Sequence, residues 1–354
     1  MEKTMDLKIS MKTPLISIIL PVRNEENFIN NSIEAILTQD YPSEQISIII
    51  VDGMSIDGTR LIVQEYQAQN PNIILLDNPF FIAPIGLNIA LQQVKGEIII
   101  RVDGHCVIAP DYISKCVEHI QKYSVDGVGG PMQSIGESPM ASVIALGMSS
   151  LFGVGNSFFR TTQGKTMLVD SVPFPAYTRQ IIEKVGLYDE ELVRNQDDEY
   201  NYRIREAGGK VLLASDVKSK YFSRGSLKKL WKQYFQYGYW KVRVLQKHPR
   251  QMSLRQFVPP TFVASLILTF VLALFIPVFW IIFTGIAGVY LLANLLASIL
   301  TAAKKGWRHL LLLPLVFAIL HISYGLGFLV GLVKFANRWN DKIGKVPQGK
   351  PFQA

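Results

Sequence analysis

The chain has 354 residues, 36 Lys+Arg against 28 Asp+Glu, 49% hydrophobic and 18% charged residues, a length that suits one large domain or two ordinary ones. That composition excludes a disordered chain, a collagen and a coiled coil, while two cysteines, Cys106 and Cys116, exclude a disulfide scaffold and lack the spacing of a zinc site. The net charge of +8 is unevenly divided: residues 1–216 carry 27 acidic and 17 basic residues, 217–255 carry eleven basic residues and no acid, and 256–303 carry no charge. A nucleic-acid binder would carry its basic residues on the folded domain, which here is acidic.

Residues 1–13 mix Glu2, Asp6 and three lysines without an apolar core and are expected to be a flexible start, not a signal peptide. Three β-branched runs follow, at 15–21, 46–52 and 97–103, separated by helical patterns near 25–38, 58–69 and 83–94. This alternation predicts an α/β domain with a mostly parallel sheet covered on both faces. Ligands of such sheets sit at the carboxyl ends of the strands, here marked by Asp52 and Asp103. The first turn, Pro21-Val22-Arg23-Asn24-Glu25-Glu26, lacks Gly-x-Gly-x-x-Gly. Its carboxylates would compete with a pyrophosphate for the backbone amides, which excludes a dinucleotide-binding fold.

A bound phosphate is then most simply held by a metal. Asp103-Gly104-His105 sets a carboxylate and an imidazole about a glycine at a strand end, donors suited to a divalent cation bridging a diphosphate. Each such string also has an ordinary reading. Asp-Gly is a common turn, Asp52 to Thr59 reads as a turn with a helix cap, and Asn195-Gln196-Asp197-Asp198-Glu199 reads as a helix start whose acids favour the dipole.

Further on, Ser226 can cap a helix running to about Lys247. Leu227, Leu230, Trp231, Tyr234, Phe235, Val242 and Leu245 fall on one side, and Lys228, Lys229, Lys232, Lys241 and Arg243 on the other. The pattern predicts an amphipathic helix on an anionic leaflet, with packing on the soluble domain as the alternative. The 48 uncharged residues 256–303 span about 72 Å as helix, or two bilayer crossings. Pro277, Thr284 and Gly285 near their middle predict a hairpin, about 260–280 and 283–303. A third apolar run, 310–333, follows Lys304, Lys305 and Arg308. The upstream basic residues place the N-terminal domain in the cytoplasm, within a multi-pass protein of the cell membrane. Three full crossings would then put Lys334, Arg338, Lys342, Lys345 and Lys350 outside, against the charge rule, so either the third run is re-entrant or the tail is an exception. His321, Ser323 and Tyr324 in that run are expected to serve helix–helix hydrogen bonding.

In chain order, ISIILPVRNEE, IIIVDGMSIDGT, the Asp-x-His and QDDEYNYRIREAGG resemble the motifs of family 2 glycosyltransferases of the GT-A fold, over Ile16 to about Gly208. The Asp-x-His, Asn195 to Glu199, and YGYWK before an apolar tail are similar to membrane glucosyltransferases of succinoglycan-type exopolysaccharide biosynthesis. The resemblance implies a GT-A domain at 14–225, an interfacial helix and juxtamembrane segment at 226–257, a membrane region at 258–333 and a basic tail at 334–354. It implies an inverting transfer from a nucleotide sugar, of the UDP-sugar class, to a lipid-linked glycan.

Under it Asp52 would read the base, and Pro21, Asn24, Glu25, Ser55 and Gly104 would shape the nucleotide pocket. Asp103 and His105 would hold Mg2+ or Mn2+, with Asp103 also facing the ribose. Asp197 would be the general base and Glu199 the second acid, although a one-residue slip exchanges Asp197 and Asp198. Asp198, Gln236, Tyr239 and Trp240 would lie toward the acceptor. His105 stands where the family usually has Asp, which weakens affinity for a hard ion, and 78–94 lacks the cation that many relatives use for the diphosphate. Three alternatives remain: a polyprenyl-phosphate sugar synthase, a processive synthase, whose Gln-x-x-Arg-Trp is altered here by Tyr239, and a catalytically degenerate membrane module.

Overall fold

Isoleucine and valine fill the first strands, and each residue turns to the opposite face from its neighbour. The computed structural model of the chain describes residues 13–352, apart from 156, 162, 163, 224, 342, 343, 345 and 348–350. The expected flexible start, but for residue 13, and the tail lysines Lys342, Lys345 and Lys350 lie outside the described residues. Strands β1 (Ile16–Val22), β2 (Ile46–Asp52), β3 (Ile73–Asp77) and β4 (Ile98–Arg101) pair in parallel, joined by helices α1 (Ile29–Leu37), α2 (Thr59–Gln69) and α3 (Ala83–Leu91). Ile18, Leu20, Ile48 and Ile50 pack with Ile33 and Val63 on one face, while Ile19, Ile49, Val51 and Ile99 pack with Leu87 and Leu91 on the other. Burial on both faces explains the unbroken apolar runs.

The chain continues through β5 (Cys106–Ile108), α4 (Tyr112–Tyr123), β6 (Gly127–Gly129), β7 (Met132–Ile135), α5 (Pro139–Met148), α6 (Leu151–Val154) and α7 (Phe158–Thr161). Then come β8 (Met167–Leu168), β9 (Ala176–Thr178), α8 (Arg179–Val185), α9 (Gln196–Glu206), β10 (Val211–Leu213) and β11 (Ser219–Phe222). The main sheet has eight strands in the order β3-β2-β1-β4-β9-β6-β10-β8, and β5-β11-β7 form a second, small sheet. Strand β9 runs antiparallel to both β4 and β6, so the sheet is mixed beyond β4. Both cysteines are buried and free.

Four long helices complete the fold: α10 (Leu227–Lys247), α11 (Val258–Ala273), α12 (Val278–Lys305) and α13 (Leu313–Lys334). Ser226 caps α10, its hydroxyl accepting from the Lys229 amide at 3.3 Å. Three helical stretches, 254–273, 278–305 and 313–334, are long and apolar enough to cross a membrane. They differ in their surroundings: half of the most apolar window of the third is buried inside the protein, against 6% for the second.

What buries α13 is α10. Phe235 meets Gly327, Tyr239 meets Gly331, and Gln246 donates to the Phe335 carbonyl at 2.8 Å, so the two helices run side by side in the same direction. A Cβ on Gly327 would stand 2.0 Å from the Phe235 carbonyl oxygen, and Gly238 leaves equally little room against Tyr324. These small residues let the two backbones touch.

The amphipathic reading of α10 therefore needs correction in its C-terminal half. Lys228, Lys229, Lys232 and Trp231 are exposed, but Lys241, Arg243 and Lys247 are buried. Their charges meet acids of the N-terminal domain instead of lipid. Lys247 reaches Asp189 at 2.5 Å and Glu191 at 2.6 Å, and Arg243 grips Glu191 with two bonds of 3.0 Å. The chain beyond α13 joins the same network: Arg338 pairs with Glu191 and Asp341. Phe352 then lies under the Arg179 guanidinium, 3.8 Å from it, with its amide on the Leu91 carbonyl.

Burial alone would raise the pKa of Glu191, but bonds from Arg243 and Lys247 outweigh it and hold the carboxyl at about 2. A depressed folded pKa gives stability that is complete above the ordinary carboxylate range and is lost as pH falls toward 2. Glu191→Gln should cost about 3 kcal/mol by leaving Arg243 and Lys247 undercompensated. It should also flatten the loss of stability between about pH 4.5 and 2. Urea unfolding of the detergent-solubilised protein across that range reads both effects.

Candidate active site

The strand ends Val22, Asp52 and Asp77 lie level with one another, and the loops that follow β1 and β2 are laced together at that edge. Asn24, at φ 54°, accepts from the Ile56 amide at 3.0 Å, and its own amide donates to the Ser55 hydroxyl at 2.9 Å. The Glu25 amide donates to Thr59 at 2.7 Å. Asp52 is fully buried and accepts from the Ser55 hydroxyl at 2.6 Å and from Arg60 at 3.3 Å. Its carboxylate is thus turned toward its own loop, and Arg60, which also pairs with Asp77, is a residue the sequence reading overlooked.

After β4 the chain turns tightly against the first loop. A Cβ on Gly104 would lie 3.0 Å from Val22 and 3.1 Å from Glu25, so glycine brings the turn close. His105 Nδ1 then stands 2.9 Å from Glu25 Oε1, with its ring edge-on to Tyr221. An ionised carboxylate can only accept, so this contact puts a proton on Nδ1 and turns Nε2 away from Glu25.

The last residue of β4, Arg101, is buried at 7% exposure. It bonds Asp103 at 3.0 and 3.2 Å and forms an ion pair with Asp197 at the start of α9. Burial alone would raise the pKa of Asp103; Arg101, helped by His105 and Arg194, reverses the effect and holds it below the ordinary value. Asp197 is partly exposed and does not bond Arg203, whose partner is Glu199 at 2.6 Å. Glu199 is buried beneath Arg203 and His248; burial would raise its pKa, and His248 and Arg203 lower it. It is not among the residues that line the cavity described below. Asp198 points to Lys241 of α10 at 2.7 Å.

Asp103, His105, Asp197 and Asp198 all line one cavity of about 1120 Å3. On α10 its lining residues are Gln233, Tyr234, Tyr237 and Lys241, which share one helix face, with 233, 237 and 241 at steps of four. Gln236 lies beside that face and accepts from Arg194, a lining residue, at 3.2 Å. Tyr239 and Trp240, expected toward the acceptor, instead pack around Phe335 and do not line the cavity, because they project from the side of α10 that meets α13. The signal that could have selected the right face was the polar spacing 233, 237, 241. Nothing in the linear order marked Arg101, since its partner Asp197 is far away along the chain.

Among the described residues no three His, Cys, Asp or Glu side chains form a complete metal site. Asp103 and His105 fit a partial one. Asp103 is ionised, and Glu25 orients the imidazole as carboxylates do for metal-bound histidines. Oxygens of a substrate diphosphate and water would complete the coordination of a hard cation.

Arg101→Leu should destabilise the protein by about 3 kcal/mol through the uncompensated Asp103. It should also reduce activity at least a hundredfold, because Asp197 loses its anchor. Arg101→Lys should recover more of the stability than of the activity, since ammonium keeps the charge but not the planar fork. Thermal unfolding measured beside activity separates the two effects.

Residues 17–186 match the family model described as glycosyl transferase family 2. The chain is 28% identical over 328 residues to a dolichyl N-acetyl-alpha-D-glucosaminyl phosphate 3-beta-D-2,3-diacetamido-2,3-dideoxy-beta-D-glucuronosyltransferase of Methanococcus voltae, an alignment covering 90% of this chain and 97% of that one. It is 29% identical to the succinoglycan biosynthesis protein ExoA of Rhizobium meliloti, covering 91% and 96%. Among solved structures it resembles the mannosyltransferase PcManGT of Pyrobaculum calidifontis, in complex with GDP-Man and Mn2+, at a TM-score of 0.57 and 17% identity over 90% of this chain and 88% of that one. With that fold, that match and relatives aligned along most of its length, residues 17–186 form a glycosyl transferase family 2 domain, and the chain carries a GT-A fold.

Proposed function

We propose that this glycosyltransferase is an inverting, metal-assisted hexosyltransferase that moves a sugar from a nucleotide-sugar donor, of the UDP-sugar class, to a hydroxyl of a lipid-linked glycan. The work would take place at the cytoplasmic face of the cell membrane, in assembly of an exopolysaccharide or a related surface glycan. One observation carries the reading: Asp103 and Asp197 share a buried guanidinium and face a cavity that reaches the apolar helices. The names of two relatives, a dolichyl phosphate-linked sugar glucuronosyltransferase and a succinoglycan biosynthesis protein, support the acceptor class.

In this reading the donor lies over the loops of Asn24, Ser55 and Gly104. A divalent cation held by Asp103 and His105 would offset charge on the departing diphosphate. Arg194 also lines the cavity, beside Asp103, and forms no ion pair with a described residue. It supplies the cation that 78–94 lacks. Arg101 keeps Asp197 aimed. The acceptor oxygen attacks the anomeric carbon opposite the diphosphate, its proton passes to Asp197, and the electron pair of the broken bond leaves with the diphosphate. A single displacement inverts the anomeric centre.

A general base contributes about 10²- to 10⁴-fold, so Asp197→Asn should lose roughly that much in single-turnover transfer with donor affinity retained. Asp198→Asn should lose less, the product should have the anomeric configuration opposite to the donor by NMR, and excess chelator should stop transfer. Near-normal transfer by Asp197→Asn with intact donor affinity would remove the assignment.

What α13 touches supports one membrane arrangement. Its start packs on α5 and Leu230, with Val316 against Gly147, and the chain after its end pairs with Glu191. Both ends therefore meet the catalytic domain. We read α13 as lying along the underside of that domain, with the α11–α12 hairpin alone crossing. Catalytic domain and tail then share the cytoplasmic face, which satisfies the charge rule, and Lys228, Lys229 and Lys232 meet its anionic lipid.

Lys334→Cys, on an exposed residue, should react with an impermeant maleimide in inverted vesicles alone, together with Lys122→Cys of the catalytic domain. The buried native cysteines keep the background low. Labelling of Lys334→Cys from the outside would overturn this topology.

A further inference from the structure

The cavity that holds Asp103 and Asp197 does not end at the catalytic domain. It continues into a cleft walled by the first turns of α11 and one face of α12. On α12 the lining positions Gly285, Ile286, Val289, Tyr290 and Ala293 form a stripe along one helix face, about 12 Å long at 1.5 Å per residue. Val258, Pro259 and Phe262 of α11 line the same cleft. A Cβ on Gly285 would meet nothing within 4 Å, so the slot is open there.

Where the slot joins the polar chamber, buried polar atoms wait without partners. The Tyr324 hydroxyl and the Oε1 atoms of Gln233 and Gln251 are all buried on the cavity wall, and among the described residues none has a hydrogen-bond partner. Gln233 itself is only 7% exposed. Folded proteins rarely leave such groups unsatisfied unless a ligand or water completes them. Arg160 and Arg255 line the same cavity and add positive charge. An apolar slot at membrane depth, a cationic junction and unpaired hydroxyl and amide groups together describe an amphiphile with a phosphate between its lipid and its sugar.

We propose that the slot takes the chain of a polyprenyl phosphate-linked glycan. Its phosphate lies against Arg160, Arg255 and the Tyr324 hydroxyl, and its first sugar against Gln233 and Gln251. The inference rests on the lipid-linked acceptor proposed above and names that acceptor's lipid and its seat. A single groove between one face of α11 and one face of α12 suits one linear chain better than the paired chains of a phospholipid. The chain enters sideways from the bilayer and never leaves apolar surroundings, while the headgroup rises to Asp197.

The test uses the full chain in lipid nanodiscs with a photoreactive polyprenyl phosphate. Crosslinks should map to 258–262 and 285–293 and be displaced by unlabelled polyprenyl phosphate, but not by phosphatidylglycerol or inorganic phosphate. Gly285→Leu, which fills the slot, should lower crosslinking at least tenfold. Gly288→Leu is the control: that glycine also has open space around it but lies outside the cavity lining, so crosslinking should be unchanged. The ratio of kcat/KM for a prenyl-linked over a chain-free acceptor should fall at least tenfold in Gly285→Leu alone. Displacement by phosphatidylglycerol, crosslinks elsewhere, or full crosslinking in Gly285→Leu would each overturn the slot. Specific crosslinking without transfer to any lipid-linked acceptor would keep the slot and refute the acceptor reading instead.

Discussion

A guanidinium taken out of water must be matched by negative charge, and Arg101 is matched twice. Asp103 lies two residues along the same turn, while Asp197 comes from the start of α9, far along the chain. Each carboxylate is held in place by the need to compensate the same buried cation, so two chemically distinct acids share one anchor. The geometry of the catalytic edge depends on this pair of contacts. Strand β4 sets the arginine, the arginine sets the helix start, and the helix start presents Asp197 and Asp198 to the cavity.

The same principle joins the enzyme's N-terminal domain to its apolar helices. The acidic excess of residues 1–216 and the basic excess of residues 217–255 look in sequence like an acidic domain followed by a lipid-seeking segment. In the fold much of that positive charge faces protein. Lys241, Arg243 and Lys247 neutralise Asp198, Glu191 and Asp189, and Arg338 returns from beyond the last apolar helix to Glu191. The first turns of α10, with Lys228, Lys229 and Lys232, remain exposed. One helix therefore has two environments, and the boundary between them falls where it begins to pack on the catalytic domain.

Glycine supplies the complementary, uncharged contact. Gly327 and Gly331 of α13 receive the backbone of α10, and His321 of α13 meets Tyr290 of α12 at 3.0 Å and the Phe152 carbonyl at 2.7 Å. These contacts press α13 against protein along its length and leave the α11–α12 hairpin as the exposed apolar part. Between hairpin and domain lies the cavity, so its polar and apolar walls come from parts of the chain with opposite solvent preferences.

The sequence by itself determined the parallel β1–β4 core, because β-branched runs alternating with amphipathic helices bury both faces of a sheet in only a few ways. It also singled out Asp103, His105 and Asp197, which the fold brings to one cavity, since ordered motifs survive as local strings, and it marked the long apolar segments. It could not show that Asp52 would turn inward to Ser55 and Arg60, that Tyr239 and Trp240 would face α13, or that Arg101 would bind Asp197. Those outcomes depend on which side of a helix or loop meets a distant element. Only the tertiary structure decided them, because compensation of buried charge and close backbone packing are properties of pairs of segments, not of either segment alone.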